Sequence, residues 1–182
     1  MHGLLLAAGA GSRMGMPKAL VRAEDGEPWL VRGVRTLTDG GCDPVTVVLG
    51  ASADQALPLL DGAGVDVVVA ADWAEGMSAS LRAGLAALAA TDAVAAVVSL
   101  VDLPDVGPEV VRRLVAETDA GTLRRASYDG RVGHPVVLGR QHWAGVLAET
   151  TGDRGARGYL GTHEVQLVEC GDLATGQDVD AR

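Results

Sequence analysis

The segment Gly9-Ala10-Gly11-Ser12-Arg13-Met14-Gly15-Met16-Pro17-Lys18 directly follows the apolar run GLLLAA, and its residue types suit the holding of phosphate. Glycines let backbone N–H groups close on phosphate oxygens without a Cβ in the way, and Arg13 and Lys18 bring positive charge. The spacing fits neither standard template. Three residues, not two, separate G-x-G from the next glycine, and no G-K-[S/T] follows, so the dinucleotide fingerprint and the Walker loop are both absent. Lys18 is the only lysine among the 15 Lys and Arg residues. That points to a place where a compact ammonium is required and a planar guanidinium is not a substitute.

Asp102-Leu103-Pro104-Asp105 follows the most apolar stretch, AVAAVVSLV. A carboxylate at the carboxyl end of a buried strand is where Mg²⁺ carried on nucleotide phosphates would be held. Asp102 also suits a turn or helix cap before Pro104. Ser78 and Ser80, in Gly76-Met77-Ser78-Ala79-Ser80-Leu81, open a helix, where hydroxyls either cap the helix or contact a base, ribose or phosphate. His134, in Gly133-His134-Pro135, is either a hydrogen-bonded structural residue or a substrate contact. Asp153 and Arg157, in GDRGAR, read as a helix cap and a solvated charge or as parts of a second binding region. Asp178-Val179-Asp180 is either an acidic tail or the return of a second carboxylate to the metal.

These residues need a scaffold that brings distant loops to one edge. The runs GLLLAA (3–8), VTVVLG (45–50), VDVVVA (65–70) and AVAAVVSLV (93–101) are continuously apolar, as strands covered on both faces are. Between them lie helical patterns: PWLVRGVRTLTDGG with Leu30, Val34 and Leu37 on one face, SADQALPLLDGAG interrupted by Pro58, and SASLRAGLAALAATD with Leu81, Leu85 and Leu88 at helical spacing. The alternation predicts a three-layer α/β/α, Rossmann-like domain with a mostly parallel sheet and right-handed crossovers. In such sheets ligands bind outside the carboxyl ends of the strands. Farther on, GPEVVRRLVAET reads as a helix and RRASYDGRVGHPVVLG as a hairpin turning at Asp129-Gly130. The hairpin is expected as a lid or substrate wall over the carboxyl edge. QHWAGVLAET and DRGARGYLGTH then read as helices, and VQLVEC as a strand.

The composition narrows the function classes. At 182 residues, 48% hydrophobic and 21% charged, the chain is expected to form one globular domain with a core of Val, Leu and Ala. A formal net charge of -9 disfavours nucleic acid and anionic membranes as partners, so phosphate binding must be local. Cys42 and Cys170 show no disulfide or zinc spacing and read as small buried residues. GLLLAA is too short and lacks the preceding positive charge of a secretory signal, and no apolar run approaches a membrane span of about 20 residues. The expectation is a cytoplasmic protein. Trp29, Trp73 and Trp143 fit a core, an interface or a pocket equally well.

Taken together, these motifs resemble the MobA-like nucleotidyltransferases of molybdenum-cofactor biosynthesis. Leu6-Ala7-Ala8-Gly9-Ala10-Gly11-Ser12-Arg13-Met14-Gly15-Met16-Pro17-Lys18 meets the pattern LAAGxGxRMGxPK. GMSASLRAGL, GHPVVLGR, GDRGAR and DVD follow in the family's order. Ala79 stands in place of a serine, Leu103 where Met is common, and Ala181-Arg182 where the family continues Thr-Pro. Ala8 resembles the cytidylyltransferase branch, because the guanylyltransferase branch carries a second glycine there.

The resemblance implies Mg²⁺-dependent transfer of CMP, or another NMP, from CTP to a phosphorylated small-molecule acceptor such as the molybdopterin cofactor, with pyrophosphate released. A molybdoenzyme is then a possible partner. Leu6, Ala7, Ala8, Gly9, Ala10, Gly11 and Ser12 would form the nucleotide site with Arg13, Lys18, Ser78 and Ser80. Arg13, Lys18 and Asp102 would act in catalysis, Asp102 and Asp180 would hold the metal, and His134, Asp153 and Arg157 would face the acceptor. A cytidylyltransferase for a sugar or polyol phosphate is an alternative. The segments DGGCD, WAEGMSASLRAGL and VECGDLATG also resemble chains described as nicotine blue oxidoreductases, which implies reduction of a pigment with a nicotinamide cofactor. Against that reading, Gly50-Ala51-Ser52 follow the second apolar run, where an acidic residue would hold an adenosine ribose.

Overall fold

The structure is a computed structural model, and it describes residues 1–12 and 14–179. One seven-stranded sheet organises it. Its strands are β1 (His2–Ala7), β2 (Val45–Leu49), β3 (Asp66–Val69), β4 (Ala95–Leu100), β5 (Leu123–Tyr128), β6 (Arg131–Gly139) and β7 (Gln166–Glu169), arranged β3-β2-β1-β4-β6-β5-β7. β1, β2, β3 and β4 are parallel, β6 runs antiparallel to both β4 and β5, and β7 is parallel to β5.

Successive strand residues point to opposite faces, and each face meets its own helices. Leu5, Ala7, Val45 and Val47 pack with α1 (Trp29–Asp39) and α4 (Pro108–Val115). Leu4, Leu6, Ala96 and Val98 pack with α3 (Met77–Ala89), α5 (Arg140–Glu149) and α6 (Arg157–Thr162). This is the three-layer architecture that the continuous apolar runs predict. Each fully buried Leu or Val in these layers contributes about 1.5–3 kcal/mol relative to exposure. Trp29, Trp143, Cys42 and Cys170 are all buried, and the Trp143 indole donates to the Leu138 carbonyl at 2.8 Å.

The structure corrects several local expectations. The late hairpin is no lid. β6 inserts beside β4 as an interior strand of the main sheet, and only the region near the hairpin turn reaches the carboxyl edge, where it forms a wall. The apolar run Val136-Val137-Leu138 is buried by neighbours on both faces. β3 is an edge strand with exposed Asp66 and Val69. The second helical segment is one short helix, α2 (Ala53–Ala56), continued by a 3-10 turn that contains Pro58. DRGARGYLGTH divides into a 3-10 turn (Gly152–Arg154) and α6, and Asp153 does not cap α6, whose N-cap is Ala156. No helix among the described residues is long and apolar enough to cross a membrane.

Candidate active site

The site begins where β1 and β4 end side by side. Leu6 pairs with Leu100, and the Val101 N–H donates to the Leu6 carbonyl at 3.2 Å, so the glycine loop and Asp102 leave the sheet at the same edge. Gly11 has φ +62, and a Cβ there would lie 1.9 Å from the Met16 carbonyl oxygen. Only glycine allows this fold-back of the loop onto its own far end. A 3-10 turn then begins at Lys18, and Lys18 Nζ donates to Asp102 Oδ2 at 2.6 Å. The two side chains are 17% and 14% exposed.

Asp102 Oδ1 is buried and has no hydrogen-bond partner among the described residues. A buried charged acceptor left unsatisfied costs at least about 1–3 kcal/mol, and a hard carboxylate oxygen of this kind suits a divalent cation such as Mg²⁺ or Mn²⁺. The residues present therefore fit such an ion. Val179 N–H donates to the Asp102 carbonyl at 3.0 Å, which ties the Asp178-Val179 segment to the end of β4. Asp180 and Arg13 lie outside the described residues. The described residues contain no group of three or more His, Cys, Asp or Glu side chains placed to hold a metal.

A cavity of about 350 Å³ opens over this pair. Residues 6–12 line it with Lys18 and Asp102, and its far wall brings Trp73, Met77 and Ser80. Gly76 turns the chain into α3 with φ +110, and the space its missing Cβ leaves is taken by Asp153, whose Oδ1 lies 2.1 Å from that position. Asp153 thereby reaches the mouth of this cavity. Ser78 is fully buried, does not line the cavity, and accepts a hydrogen bond from the Gly155 N–H at 3.1 Å. Its hydroxyl braces the Gly152–Gly155 turn against α3. Asp105 accepts from the Thr175 backbone N–H at 2.7 Å and from its hydroxyl at 2.6 Å, and so anchors the segment that leads to Asp178.

A second cavity, about 240 Å³, shares Leu6, Met77 and Leu100 with the first. His134 and Arg157 line it, so two of the residues expected to face the acceptor meet here while Asp153 faces the first cavity. Burial, reinforced by the positive charges of Arg125 and Arg157, pushes His134 down to about 4. The imidazole is neutral at physiological pH. Arg125, which local sequence gave no reason to select, lines the same cavity and donates from Nε and Nη2 to the Gly133 carbonyl at 3.3 and 3.2 Å. Tyr128 Oη donates to the His134 carbonyl at 2.6 Å. Behind the hairpin, the Glu169 carboxylate accepts from Ser127 Oγ and the Asp129 N–H, both at 2.8 Å, and fixes the wall that carries His134.

Similar proteins place the chain in a family. The model of the MobA-like NTP transferase domain matches residues 3–167. Nicotine blue oxidoreductase from Paenarthrobacter nicotinovorans is 36% identical over 188 residues, which cover 98% of this chain and 91% of that protein. The crystal structure of Rv0371c from Mycobacterium tuberculosis H37Rv superposes with a TM-score of 0.82 at 32% identity, covering 99% of this chain and 92% of that chain. A second structure of that protein, in complex with manganese, has a TM-score of 0.77 at 30% identity over 93% of this chain and 87% of that one. The matched span runs from β1 into β7 and takes in the glycine loop, Asp102 and all of the second cavity's lining except Gly176 and Asp178, and the chain accordingly belongs to the MobA-like NTP transferase family as an enzyme of the nucleotidyltransferase class.

Proposed function

We propose that the protein transfers the nucleoside monophosphate of an NTP, CTP by preference, to a phosphorylated acceptor such as the molybdopterin cofactor, with Mg²⁺ and with release of pyrophosphate. The observation that carries this reading is Asp102, one oxygen on Lys18 and the other buried with no hydrogen-bond partner among the described residues, in the lining of the cavity that the glycine loop shares. That a similar protein, Rv0371c, has been crystallised in complex with manganese is consistent with a divalent ion as cofactor. When bound, the ion supplies charge neutralisation to the phosphate oxygens.

An oxygen of the acceptor phosphate attacks the α-phosphorus in line, the α–β bridging bond breaks, and pyrophosphate carries away the electron pair. The attacking phosphate is already ionised at neutral pH, so alignment and charge stabilisation matter more than proton transfer. Asp102 Oδ1 and Asp180 would hold the ion. The loop amides with Arg13 would hold the β and γ phosphates, and Lys18 would turn from Asp102 to the α-phosphate as charge builds there. Ser80 would lie along the nucleotide, Asp153 at the passage between donor and acceptor, and His134 with Arg157 at the acceptor. Ala8 lines the first cavity, where its methyl group leaves less room than the glycine of the guanylyltransferase pattern would. That supports a pyrimidine over a purine.

A second reading, reduction of a pigment by a nicotinamide cofactor on the same fold, is favoured by the 36% identity to nicotine blue oxidoreductase. Thermal-shift measurements with CTP, GTP, ATP, NADH and NADPH, each with and without Mg²⁺, separate the two. Nucleotidyl transfer predicts the largest stabilisation with CTP plus Mg²⁺. Stabilisation by a reduced nicotinamide alone, with none by any NTP plus Mg²⁺, would establish the second reading in its place.

A further inference from the structure

The second cavity divides into an apolar floor and a cationic rim. Leu81, Val98, Val136, Leu138 and Leu160, contributed by α3, β4, β6 and α6, form the floor. Arg125, Arg154 and Arg157 form the rim, with the neutral His134 beside them. Among the described residues Asp178 is the one carboxylate in the lining, and no Ser, Thr, Asn, Gln or Tyr side chain lines it. Hydroxyl groups placed against such a floor would lose water and gain no partner, which is costly for each one.

The rim has its own imbalance. Arg125 is half-buried and donates only to a backbone carbonyl, and neither it nor Arg157 has a carboxylate partner among the described residues. Burial and the nearby charge of Arg157 both push the Arg125 guanidinium below its ordinary value. Two guanidiniums that repel one another without an intervening anion are complementary to a phosphate, which each can engage through paired N–H donors. His134, neutral and able to donate one hydrogen bond, stands beside them.

We propose that this cavity selects a phosphate monoester with an apolar body, with Arg125 and Arg157 gripping the phosphate and the floor discriminating against sugar and polyol phosphates. This rests on the reading of transfer to a phosphorylated acceptor and names that acceptor's class. Arg125 is the added phosphate-binding residue and the floor determines specificity, while the shared wall of Leu6, Met77 and Leu100 sets the gripped phosphate next to the nucleotide cavity.

The test uses phenyl phosphate, glycerol 3-phosphate and inorganic phosphate as probes on the intact protein, with no nucleotide or metal present. Affinity is read by calorimetry, and location is read from the His134 ring resonances. Phenyl phosphate should bind at least about tenfold more tightly than glycerol 3-phosphate and shift the His134 resonances. Arg125→Gln should weaken phenyl phosphate by about tenfold, Arg157→Gln by a similar factor, and Arg125→Lys should recover part of the loss. Arg157 is exposed, so its variant keeps the comparison sound if Arg125→Gln folds poorly.

Equal or tighter binding of glycerol 3-phosphate would overturn the apolar-body assignment. Unchanged affinity in a folded Arg125→Gln, or in Arg157→Gln, would overturn the clamp. Still His134 resonances during binding would place the probes in the glycine loop and overturn the site. None of these probes carries a nucleotide, so a failure here leaves nucleotidyl transfer to be judged by its own thermal-shift experiment.

Discussion

Lys18 Nζ donates to Asp102 Oδ2 across 2.6 Å, joining the end of the glycine loop to the end of β4. The bond neutralises one carboxylate oxygen and leaves the other buried, so the lysine and a divalent cation compete for the same group. Lys18→Gln should therefore bind bare Mn²⁺ about tenfold more tightly than the wild type, read by electron paramagnetic resonance titration, while nucleotidyl transfer falls by roughly 10²-fold or more. Asp102→Asn should lose both metal binding and turnover and keep its circular dichroism spectrum. Full turnover in Asp102→Asn would remove Asp102 from the metal role.

Gly11 and Gly9 lie in one loop but face different constraints. A methyl group at Gly11 meets the Met16 carbonyl in a left-handed backbone, whereas one at Gly9 meets nothing within 4 Å. Gly11→Ala is expected to cost about 1–3 kcal/mol in urea denaturation and to weaken NTP binding. Gly9→Ala should leave stability unchanged, so equal losses in both variants would refute the fold-back of the loop.

His134 should make stability depend on pH. Its folded value of about 4 lies below the ordinary 6.5, so the unfolded chain takes up the proton first as pH falls. Stability is fully present above about 6.5 and declines through the window down to about 4. His134→Gln should flatten that part of the profile in denaturation experiments at pH 7, 5.5 and 4.5. An unchanged slope would mean that His134 is not held neutral by its surroundings.

Glu169 acts from behind the wall that carries His134. The Ser127 hydroxyl, the Gly171 N–H and the Asp129 N–H hold its carboxyl down at about 2, against an ordinary 4.5. Its contribution is present above about 4.5 and is lost as pH falls toward 2. Glu169→Gln should speed hydrogen exchange at the Asp129 and Gly130 amides at neutral pH and weaken the acid dependence of unfolding. Unaltered protection at those amides would rule out the brace.

The first cavity was legible because its signals are local. Residues 6–12, Lys18 and Asp102 stand at the ends of apolar runs, and parallel pairing of β1 with β4 is enough to bring them together. Arg125 was not legible, because its place in the second cavity depends on β6 lying between β4 and β5, and no spacing within RRASY encodes that order. A partial signal existed in Val136-Val137-Leu138, whose continuous apolarity marks an interior strand and argues against a lid. In the sequence, Ser78 and Asp153 offer only a hydroxyl and a charge. What decides their places is the turn at Gly76, where a missing side chain lets another segment enter.

The chain's only lysine lies in the first cavity with its ammonium against Asp102. An amine-directed acylating reagent, apart from the chain's amino terminus, therefore meets a single side chain. Protection of Lys18 from acylation, followed by mass spectrometry, reports the filling of the cleft in the unaltered protein, and one acyl mass added to the peptide that carries Lys18 measures it without a fluorophore, a tag or a substituted residue.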